Sequence, residues 1–472
     1  MVGRVEERVG LESAYGAEES EFVAVYGRRR VGKTYLVAET FRGKFSFRHA
    51  GLKDATMREQ LESFRESLVE FGHSKCPELK GWLQAFRELE VLLSRKKSGR
   101  KVVFIDEMPW MDTPKSGFLT ALESFWNKWA CSRKDIVFVI CGSATSWIVK
   151  KVLRSRGGLH NRVTRRIKLF PFTLAECEEF VNVRRLGMDR RQIAECYMAF
   201  GGVAYYWSLL EKGKSAAQNF DSLFFGRQDG LRREYFELYS SLFRNEEPYQ
   251  QIVTVLAKGR RGMTRDEIVR RLGNVSGGNV TKELDELEEC GFIRRYQIPG
   301  SKVKGAIFQL VDHFTLFHFS FLDGEKITSG DFWSSSAALH RKETWRGLAF
   351  ERLCLEHVRQ IKFKLGISGV FTREYAWRGK IDGRSREDAQ IDLVLDRNDD
   401  TVNLCEMKYS AGGYRITASE DAAMARRKRM YSEFAGSRKA LHVTFVTSDG
   451  LVPGKYNGNV QSEVTLDDLF RP

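Results

Sequence analysis

One short segment constrains the fold of this chain more than any other part of it. Residues 22–26 (FVAVY) form a continuous apolar run, which is typical of a parallel strand that is covered on both faces. The run leads without a gap into GRRRVGKT at residues 27–34, and a helical pattern follows. A strand, a glycine-rich loop and a helix in this order predict a phosphate-binding loop on a parallel α/β sheet.

The residue types in this loop explain why it would bind a nucleotide. Glycines let backbone amides point at a β-phosphate, Lys33 would reach the β and γ oxygens, and Thr34 would offer its hydroxyl to Mg²⁺. We therefore expect ATP and Mg²⁺ as cofactors. The residues predicted to bind ATP are Gly27, Arg28, Arg29, Arg30, Val31, Gly32, Lys33, Thr34 and Tyr35.

Two further apolar runs supply the other groups that ATP hydrolysis needs. KVVFIDE, at residues 101–107, predicts a buried strand that ends in two acids. Asp106 would hold Mg²⁺, and Glu107 would orient and deprotonate the attacking water. The run from Ile136 to Ser143 predicts another strand of the same sheet. Because parallel strands end at the same edge of a sheet, Ser143 should lie within reach of the γ-phosphate or the lytic water.

An arginine-rich stretch follows at residues 154–173. An arginine that reaches the γ-phosphate of a neighbouring subunit would stabilise the transition state, and Arg162 and Arg156 are the candidates. The alternative is that these side chains are simply solvated, as most arginines in such loops are. An arginine that acts between subunits would imply a homo-oligomer.

Together these motifs resemble those of the archaeal-type ATPases of the AAA+ superfamily. The similar stretches are VGR with two following acids at the N-terminus, GRRRVGKT, FIDE, GGLHNRVT, PFTLAE and GGVAYYW. The resemblance implies a five-stranded parallel sheet in an ATPase core at residues 1–175 and a small helical lid at residues 176–244. This chain has Ala204 where the family often has proline after GGV.

Residues 245–325 show three helical patterns followed by a hairpin pattern. YQQIVTVLAKG, TRDEIVRRLG and GGNVTKELDELEECG are each closed by glycine, and two β-runs joined by PGSKVKG come next. This order predicts a winged helix. Most of the third helix is acidic, so contact with DNA would fall to Asn279, Lys282, Lys302 and Lys304. Docking of another protein is the alternative role.

The stretch AQIDLVLDRNDDTVNLCEMKYS, at residues 389–410, alternates apolar and polar residues on both sides of a polar turn. This period of two predicts a hairpin centred on Asp399, in which Asp392 and Glu406 face each other directly. Like charges at directly opposed positions destabilise a sheet, so something should compensate for them. Lys408 lies on the same face, and a Mg²⁺ or Mn²⁺ ion held by both carboxylates would also remove the repulsion.

An amphipathic helix predicted at residues 345–361 carries Glu351 at the edge of its apolar stripe, where an acid is unusual unless it is paired or bound. With the hairpin, this helix resembles the PD-(D/E)xK restriction-endonuclease-like fold, placed at residues 335–472. The resemblance implies that Glu351, Asp392 and Glu406 hold the metal, and that Lys408 positions or activates water beside the two strand carboxylates. The proline that precedes the aspartate in this family is absent here.

Charge and composition narrow the partners and the compartment. The chain has 77 basic and 62 acidic side chains and therefore a net charge of +15. This charge favours binding of a polyanion, most simply a nucleic acid, and we expect DNA. A solvated basic surface is the alternative. The eight cysteines form no CxxC pair, and no apolar run approaches the roughly 18 residues that would span a membrane. These features predict a cytoplasmic protein without a membrane partner.

The predicted fold class is therefore α/β multidomain, with an AAA+ core, a helical lid, a winged helix and a nuclease-like domain. The predicted function is that of an ATPase, an ATP-hydrolysing enzyme, coupled to a Mg²⁺-dependent nuclease that acts on DNA. The alternative is a nucleotide-switched regulator that binds DNA or protein and keeps an inactive nuclease fold.

Overall fold

The computed structural model describes the chain except for residues 97–98, 144, 155–156, 227–229, 244, 260–261, 274–276, 297–305, 325–329, 336–338, 381–387 and 437. At residues 145, 277, 378, 380 and 388 it describes the backbone alone. The chain divides into two compact units, one comprising residues 1–171 and 237–246 and the other comprising residues 172–236 and 247–472.

The first unit is built on five strands: β1 (Glu21–Gly27), β2 (Phe45–Ala50), β3 (Lys101–Asp106), β4 (Ile136–Gly142) and β5 (Arg165–Leu169). They form one sheet in the order β2–β3–β4–β1–β5, in which every neighbouring pair is parallel. The helices of this unit are α1 (Val5–Gly16), α2 (Lys33–Thr40), α3 (Met57–Glu70), α4 (Trp82–Arg95), α5 (Phe118–Lys128) and α6 (Thr145–Trp147). The five-stranded parallel sheet is confirmed.

Both faces of this sheet are covered, which explains the continuous apolar run of β1. Phe22 and Ala24 belong to a core that also contains residues of α3, α4 and α5, whereas Val23 and Val25 belong to a second core with residues of α1 and α2. Successive side chains of a strand point to opposite faces, so a strand between two helical layers must be apolar at every position.

The second unit begins with the helices α7 (Leu174–Arg184), α8 (Arg190–Phe200), α9 (Ala204–Ser208) and α10 (Ala216–Phe220). The boundary between the units falls within α11 (Glu234–Leu242). Next come α12 (Glu247–Lys258), β6 (Met263–Thr264), α13 (Arg265–Arg271), α14 (Gly277–Glu289), β7 (Ile293–Tyr296) and β8 (Ile307–Leu310). The three short strands form an antiparallel sheet in the order β6–β8–β7. The helices α12, α13 and α14 lie where the sequence predicted three helices.

The remainder of the second unit contains α15 (His313–Phe317), α16 (Leu339–Glu356), α17 (Val358–Lys364), β9 (Thr372–Lys380), β10 (Asp388–Arg397), β11 (Thr401–Lys408), α18 (Ala418–Ala435), β12 (Ala440–Thr447) and β13 (Ser462–Thr465). Its five strands form a mixed sheet in the order β13–β12–β11–β10–β9. β9, β10 and β11 are antiparallel, whereas β11, β12 and β13 are parallel. In the part of the chain that is described, no helix is both long enough and apolar enough to span a bilayer.

The single helix predicted at residues 345–361 is wrong, because α16 and α17 are separated at His357. This residue leaves the helical conformation with φ −111° and ψ 29°. Its ring explains the break: Nδ1 hydrogen-bonds to the carbonyl oxygen of Leu353 at 2.8 Å, and Nε2 accepts the amide of Leu174 at 3.0 Å. The helix is therefore interrupted where His357 contacts the start of α7. Apolar periodicity cannot predict a contact of this kind.

Substitution of Gly202 by alanine should destabilise the second unit strongly. A Cβ atom at this position would lie 1.8 Å from the carbonyl oxygen of Phe172, and backbone cannot move aside cheaply. We expect a loss of about 2–4 kcal/mol in the free energy of unfolding, measured by denaturant titration. Gly347→Ala is the matched control, since its Cβ would meet nothing within 4 Å and it lies in α16, where alanine should stabilise the helix by about 0.5–1 kcal/mol. Equal effects of the two substitutions would contradict the packing described.

Candidate functional site

The loop between β1 and α2 has the backbone that a phosphate-binding loop requires. Gly27 has φ 148°, Arg30 has φ 68° and Gly32 has φ 96°, so three of its residues lie at positive φ. A Cβ atom on Gly27 would lie 2.2 Å from the carbonyl oxygen of Leu169 in β5, which excludes any larger residue there. Of the other predicted loop residues, Arg28 and Val31 are buried, Arg29 is half-buried and Tyr35 is exposed.

Lys33 is the first residue of α2, directly after this loop, and its side chain is buried. Its ammonium nitrogen donates to the carbonyl oxygens of Gly27 at 2.9 Å and Arg28 at 2.7 Å, and to the hydroxyl of Ser143 at 3.1 Å. These partners hold the charge inside the loop, where the phosphates of a nucleotide would meet it.

Thr34 and Asp106 lie together at the carboxyl edge of the sheet. The Thr34 hydroxyl donates to Oδ2 of Asp106 at 2.7 Å, and Oδ1 of Asp106 accepts the amide of Glu107 at 2.9 Å. A hydroxyl and a carboxylate in contact are the oxygen donors that suit Mg²⁺, so this pair fits the ion.

Glu107 follows β3 in the left-handed conformation, with φ 43° and ψ 40°. This conformation turns its carboxylate toward the end of β4, where Oε1 accepts the hydroxyl of Ser143 at 2.7 Å and Oε2 accepts its amide at 3.2 Å. Ser143 therefore links Lys33 to Glu107. The predicted residues Lys33, Thr34, Asp106, Glu107 and Ser143 thus come together at one edge of the sheet.

Arg4 belongs to this site, although no role was predicted for it beyond its place in the family resemblance. Its side chain is buried, and Nη2 donates to the carbonyl oxygen of Val31 in the loop at 3.2 Å. Nη1 also lies 3.6 Å from the carboxylate of Glu7. The VGR stretch with its following acids was the available signal. Arg4 fastens the N-terminus to the phosphate-binding loop.

Arg162 does not join this cluster. It is exposed and precedes β5, whose pairing with β1 runs from Val23–Arg165 to Gly27–Leu169. Arg162 therefore lies at the amino edge of the sheet, whereas the loop follows the carboxyl edge. Within its own chain this arginine faces away from Lys33. Arg156, the second candidate, lies outside the described residues.

The hairpin of the second unit has the register that the sequence predicted. Leu393 pairs with Cys405 and Leu395 pairs with Asn403, and this register continued by one step places Asp392 opposite Glu406. The pairing of β10 with β9 shifts between Ile391 and Val394, so Asp392 lies within a bulge. Bulges redirect side chains and are frequent beside active sites. Oδ2 of Asp392 accepts the amide of Met407 at 3.3 Å, which ties it to β11.

Two cations neutralise Glu406, which is buried. Lys408 Nζ lies 2.7 Å from Oε1, and Arg427 Nη1 of α18 lies 2.7 Å from Oε2. Burial opposes charge on Lys408, but the carboxylate of Glu406 outweighs it and raises the pKa of Lys408 above its usual value. Arg427 belongs to a run of four basic residues in α18, at residues 426–429. Its guanidinium pairs with the carboxylate of Glu406.

Among the hydrogen bonds of the described residues, Asp392 has no such cationic partner. Burial, together with the charges of Glu406 and Glu351, raises the pKa of Asp392 well above its usual value. One cavity is lined by Asp392, Glu351, Arg352 and Gln390. The same cavity is also lined by three residues of the antiparallel sheet, Tyr296, Ile307 and Gln309. The helix, the bulged strand and β11 therefore bring the three predicted carboxylates into electrostatic contact.

The chemistry of these carboxylates fits a divalent cation, although the ion is not needed to hold Glu406. Hard oxygen ligands suit Mg²⁺ and Mn²⁺, and a dication would offset the repulsion that Asp392 experiences. The donor atoms of Glu351, Asp392 and Glu406 are not among the groups of described residues that converge to within 4.8 Å of one another.

The acids of α14 are less exposed than its first turn. Asp285 and Glu288 form ion pairs with Arg295 of β7, and Glu286 is buried against the hydroxyl of Tyr249. The exposed residues Asn279 and Lys282 lie near the start of the helix, as the sequence suggested. Lys302 and Lys304 lie outside the described residues.

Comparisons with known proteins support the assignment of the first unit. Residues 19–178 match the family model described as AAA domain. An uncharacterised protein of Methanocaldococcus jannaschii is 24% identical over 420 residues, which are 87% of each chain. Residues 19–178 are therefore similar to an AAA domain, which agrees with the phosphate-binding loop and the parallel sheet described above.

Solved structures are also similar to this chain, at lower identity. The Walker-type ATPase of Pyrococcus abyssi is 15% identical with a TM-score of 0.46, and the alignment covers 67% of this chain and 95% of that protein. A RuvB variant of Thermotoga maritima is 14% identical with a TM-score of 0.34, and the alignment covers 65% of this chain and 93% of that protein.

Proposed function

We propose that this protein hydrolyses ATP in its first unit and thereby controls a metal-dependent phosphodiesterase in its second unit that acts on DNA. The observation that carries the ATPase part is the contact network at the carboxyl edge of the parallel sheet. Lys33 and Thr34 come from the loop, Asp106 and Glu107 from the end of β3, and Ser143 from the end of β4.

Each of these residues has a distinct task in ATP hydrolysis. The loop amides and Lys33 bind the phosphates, and Thr34 with Asp106 would hold Mg²⁺, which supplies positive charge to the β and γ oxygens. Glu107 accepts the proton of the attacking water and is held by Ser143 until then. Ser143 also contacts Lys33, so a phosphate that draws Lys33 away would weaken the hold on Glu107.

Arg162 would complete the site of a second copy of the chain. It is exposed at the amino edge of the sheet and therefore reaches no phosphate in its own chain. A homo-oligomer would bring this edge to the nucleotide of a neighbour, where a guanidinium stabilises the charge of the transition state.

The phosphodiesterase part rests on Asp392, Glu351 and Glu406, whose charges act on one another beside a cavity. These carboxylates would hold Mg²⁺ or Mn²⁺, which polarises a phosphodiester. Lys408 would orient water or a phosphate oxygen. DNA as the substrate is supported by the net charge of +15 and by the exposed Asn279 and Lys282. A winged helix formed by residues 245–325 would then hold the DNA.

A second candidate function is that of a nucleotide-switched regulator with an inactive nuclease fold. The double ion pair of Glu406 favours it, because Lys408 and Arg427 already neutralise this carboxylate without a metal. In this case the protein would bind DNA or another protein and cleave neither.

Thermal unfolding in the presence of Mn²⁺ separates the two candidates. In wild type, Mn²⁺ should raise the Tm of the second unit. At a Mn²⁺ concentration one hundred times the Kd, binding should add about 2.7 kcal/mol to the free energy of unfolding. Asp392→Asn should abolish this rise. Because Glu351 and Glu406 repel charge at this position, the metal-free variant should be at least as stable as wild type.

Asp400→Asn provides the matched control for this measurement. The residue lies in the exposed turn of the same hairpin at φ 60°, a conformation that asparagine tolerates. Its response to Mn²⁺ should equal that of wild type. If Mn²⁺ does not change the Tm of wild type, the second unit has no such metal site, and the regulator becomes its proposed function.

A further inference from the structure

We propose that His73, Cys76 and Glu88 form a binding site for a thiophilic divalent cation, with Zn²⁺ as its natural ligand. The three residues belong to the first unit and are separate from the residues assigned to ATP. Among the described residues they are the one group of three His, Cys, Asp or Glu side chains whose donor atoms all lie within 4.8 Å of one another.

The backbone brings the first two of these residues together. His73 and Cys76 lie in the connection between α3, which ends at Glu70, and α4, which begins at Trp82. The amide of Cys76 donates to the carbonyl oxygen of His73 at 2.9 Å, and this turn sets the two side chains next to each other. Glu88 comes from the second turn of α4. The site would therefore fasten the connection to the helix that follows it.

Burial and incomplete hydrogen bonding single out this cluster from an ordinary ion pair. His73 is 2% exposed and Cys76 is 4% exposed. Nε2 of His73 lies 2.7 Å from Oε2 of Glu88, whereas Nδ1 is buried and has no hydrogen-bond partner within the described parts of the chain. The protein alone thus satisfies one of the two ring nitrogens, and a buried polar atom without a partner costs free energy.

The contact between Nε2 and Glu88 is compatible with a ring that binds a metal through Nδ1. A neutral imidazole that donates through Nε2 to a carboxylate keeps a lone pair on Nδ1, and carboxylates commonly hold histidine ligands in this way. The side chain of Glu88 is 20% exposed, so an ion can enter from this side.

The donor set selects the class of cation. A thiolate and an imidazole favour Zn²⁺ or Co²⁺ over Mg²⁺, which prefers oxygen ligands. Zn²⁺ bound to the Cys76 thiolate and to Nδ1 of the neutral His73 ring, with the Glu88 carboxylate holding Nε2, gives a site without net charge, which is compatible with its burial. Binding would release the thiol proton of Cys76. Water would fill the remaining positions of the ion, and the bound ion would stabilise the connection at residues 71–81.

The test uses the full chain, stripped of metal with a chelator and supplied with excess Mg²⁺ so that oxygen-ligand sites are filled. Titration with Co²⁺ should give one ion per chain and a thiolate-to-Co²⁺ charge-transfer band in the near ultraviolet. Cys76→Ser should lose the band, and His73→Gln should weaken binding about 10–100-fold. Zn²⁺ should displace Co²⁺ and should raise the Tm of wild type but not that of Cys76→Ser.

Cys131→Ser is the matched control, because Cys131 is the exposed cysteine of the chain and the other seven are buried. It should keep the band unchanged. Absence of the band in wild type, or its survival in Cys76→Ser, overturns the proposal. Should Cys76→Ser prove unfolded by circular dichroism, the band of Glu88→Gln decides: a shifted or weakened band supports the site, and an unaltered one overturns it.

Discussion

Replacement of Glu107 by glutamine should lower ATP turnover by about 10²–10⁴-fold while ATP stays bound, because the amide cannot accept the proton of the attacking water. The glutamine still has an oxygen for the Ser143 hydroxyl, which lies 2.7 Å from Oε1 of Glu107. The geometry at the end of β3 should therefore survive. The measurements are single-turnover hydrolysis and retention of labelled ATP on the purified protein.

Lys33→Ala should fail at the earlier step. Lys33 is a buried cation beside the loop, and its loss removes charge-assisted hydrogen bonds to the phosphates worth about 3–4 kcal/mol, or roughly 10²–10³ in the Kd for ATP. It also frees Ser143, which the ammonium contacts at 3.1 Å. The two variants should thus differ in kind: one binds without turnover, and the other does not bind.

Glu70→Gln supplies the control, since Glu70 is an exposed residue at the end of α3 in the same unit. Its turnover and affinity should match those of wild type. If Glu107→Gln hydrolysed ATP at the wild-type rate, the role of this carboxylate as the base would be refuted, while the loop would remain assigned to ATP by the Lys33 variant.

Sequence patterns were sufficient wherever a local signal and a sheet edge acted together. β1, β3 and β4 were predicted from apolar runs, and their parallel order then placed Lys33, Asp106 and Ser143 at one edge. The hairpin register was predicted from a period of two around Asp399, and the pairing of Leu393 with Cys405 confirms it.

Features that depend on contacts distant in sequence were not predictable from the same patterns. The helix break at His357 depends on the amide of Leu174. The second cation on Glu406 comes from Arg427 of α18. Glu88 joins His73 only because α4 packs beside the connection that precedes it. In each case the feature depends on a residue from another helix or from a connection between helices. Hydrophobic periodicity within one element cannot predict such a contact.

The cleavage prediction tests the second unit directly. Wild type should cleave DNA in the presence of Mg²⁺ or Mn²⁺, whereas Asp392→Ala and Lys408→Ala should each reduce cleavage at least about 10²-fold. ATP hydrolysis should be unchanged in both variants, because these residues belong to the other unit. The assay compares single- and double-stranded DNA and RNA, with and without ATP.

The two variants should fail for different reasons, and this difference guards against a trivial loss of folding. Asp392→Ala removes a carboxylate that neighbouring charges already destabilise, so it should lose the response to Mn²⁺ without a loss of metal-free stability. Lys408→Ala leaves Glu406 with Arg427 alone, so the variant should be less stable but should still respond to Mn²⁺.

Two results would contradict cleavage by this site. In the first, wild type binds Mn²⁺ through Asp392 and cleaves no nucleic acid, and the carboxylates then form a metal site without nuclease activity. Cleavage that persists in Asp392→Ala would come from a contaminant or another site.

Tyr296, Ile307 and Gln309 of the antiparallel sheet restrict access to this site. Since these residues line the same cavity as Asp392, a DNA strand must contact or displace this sheet to reach the metal. Cleavage that requires ATP would therefore be the expected form of control.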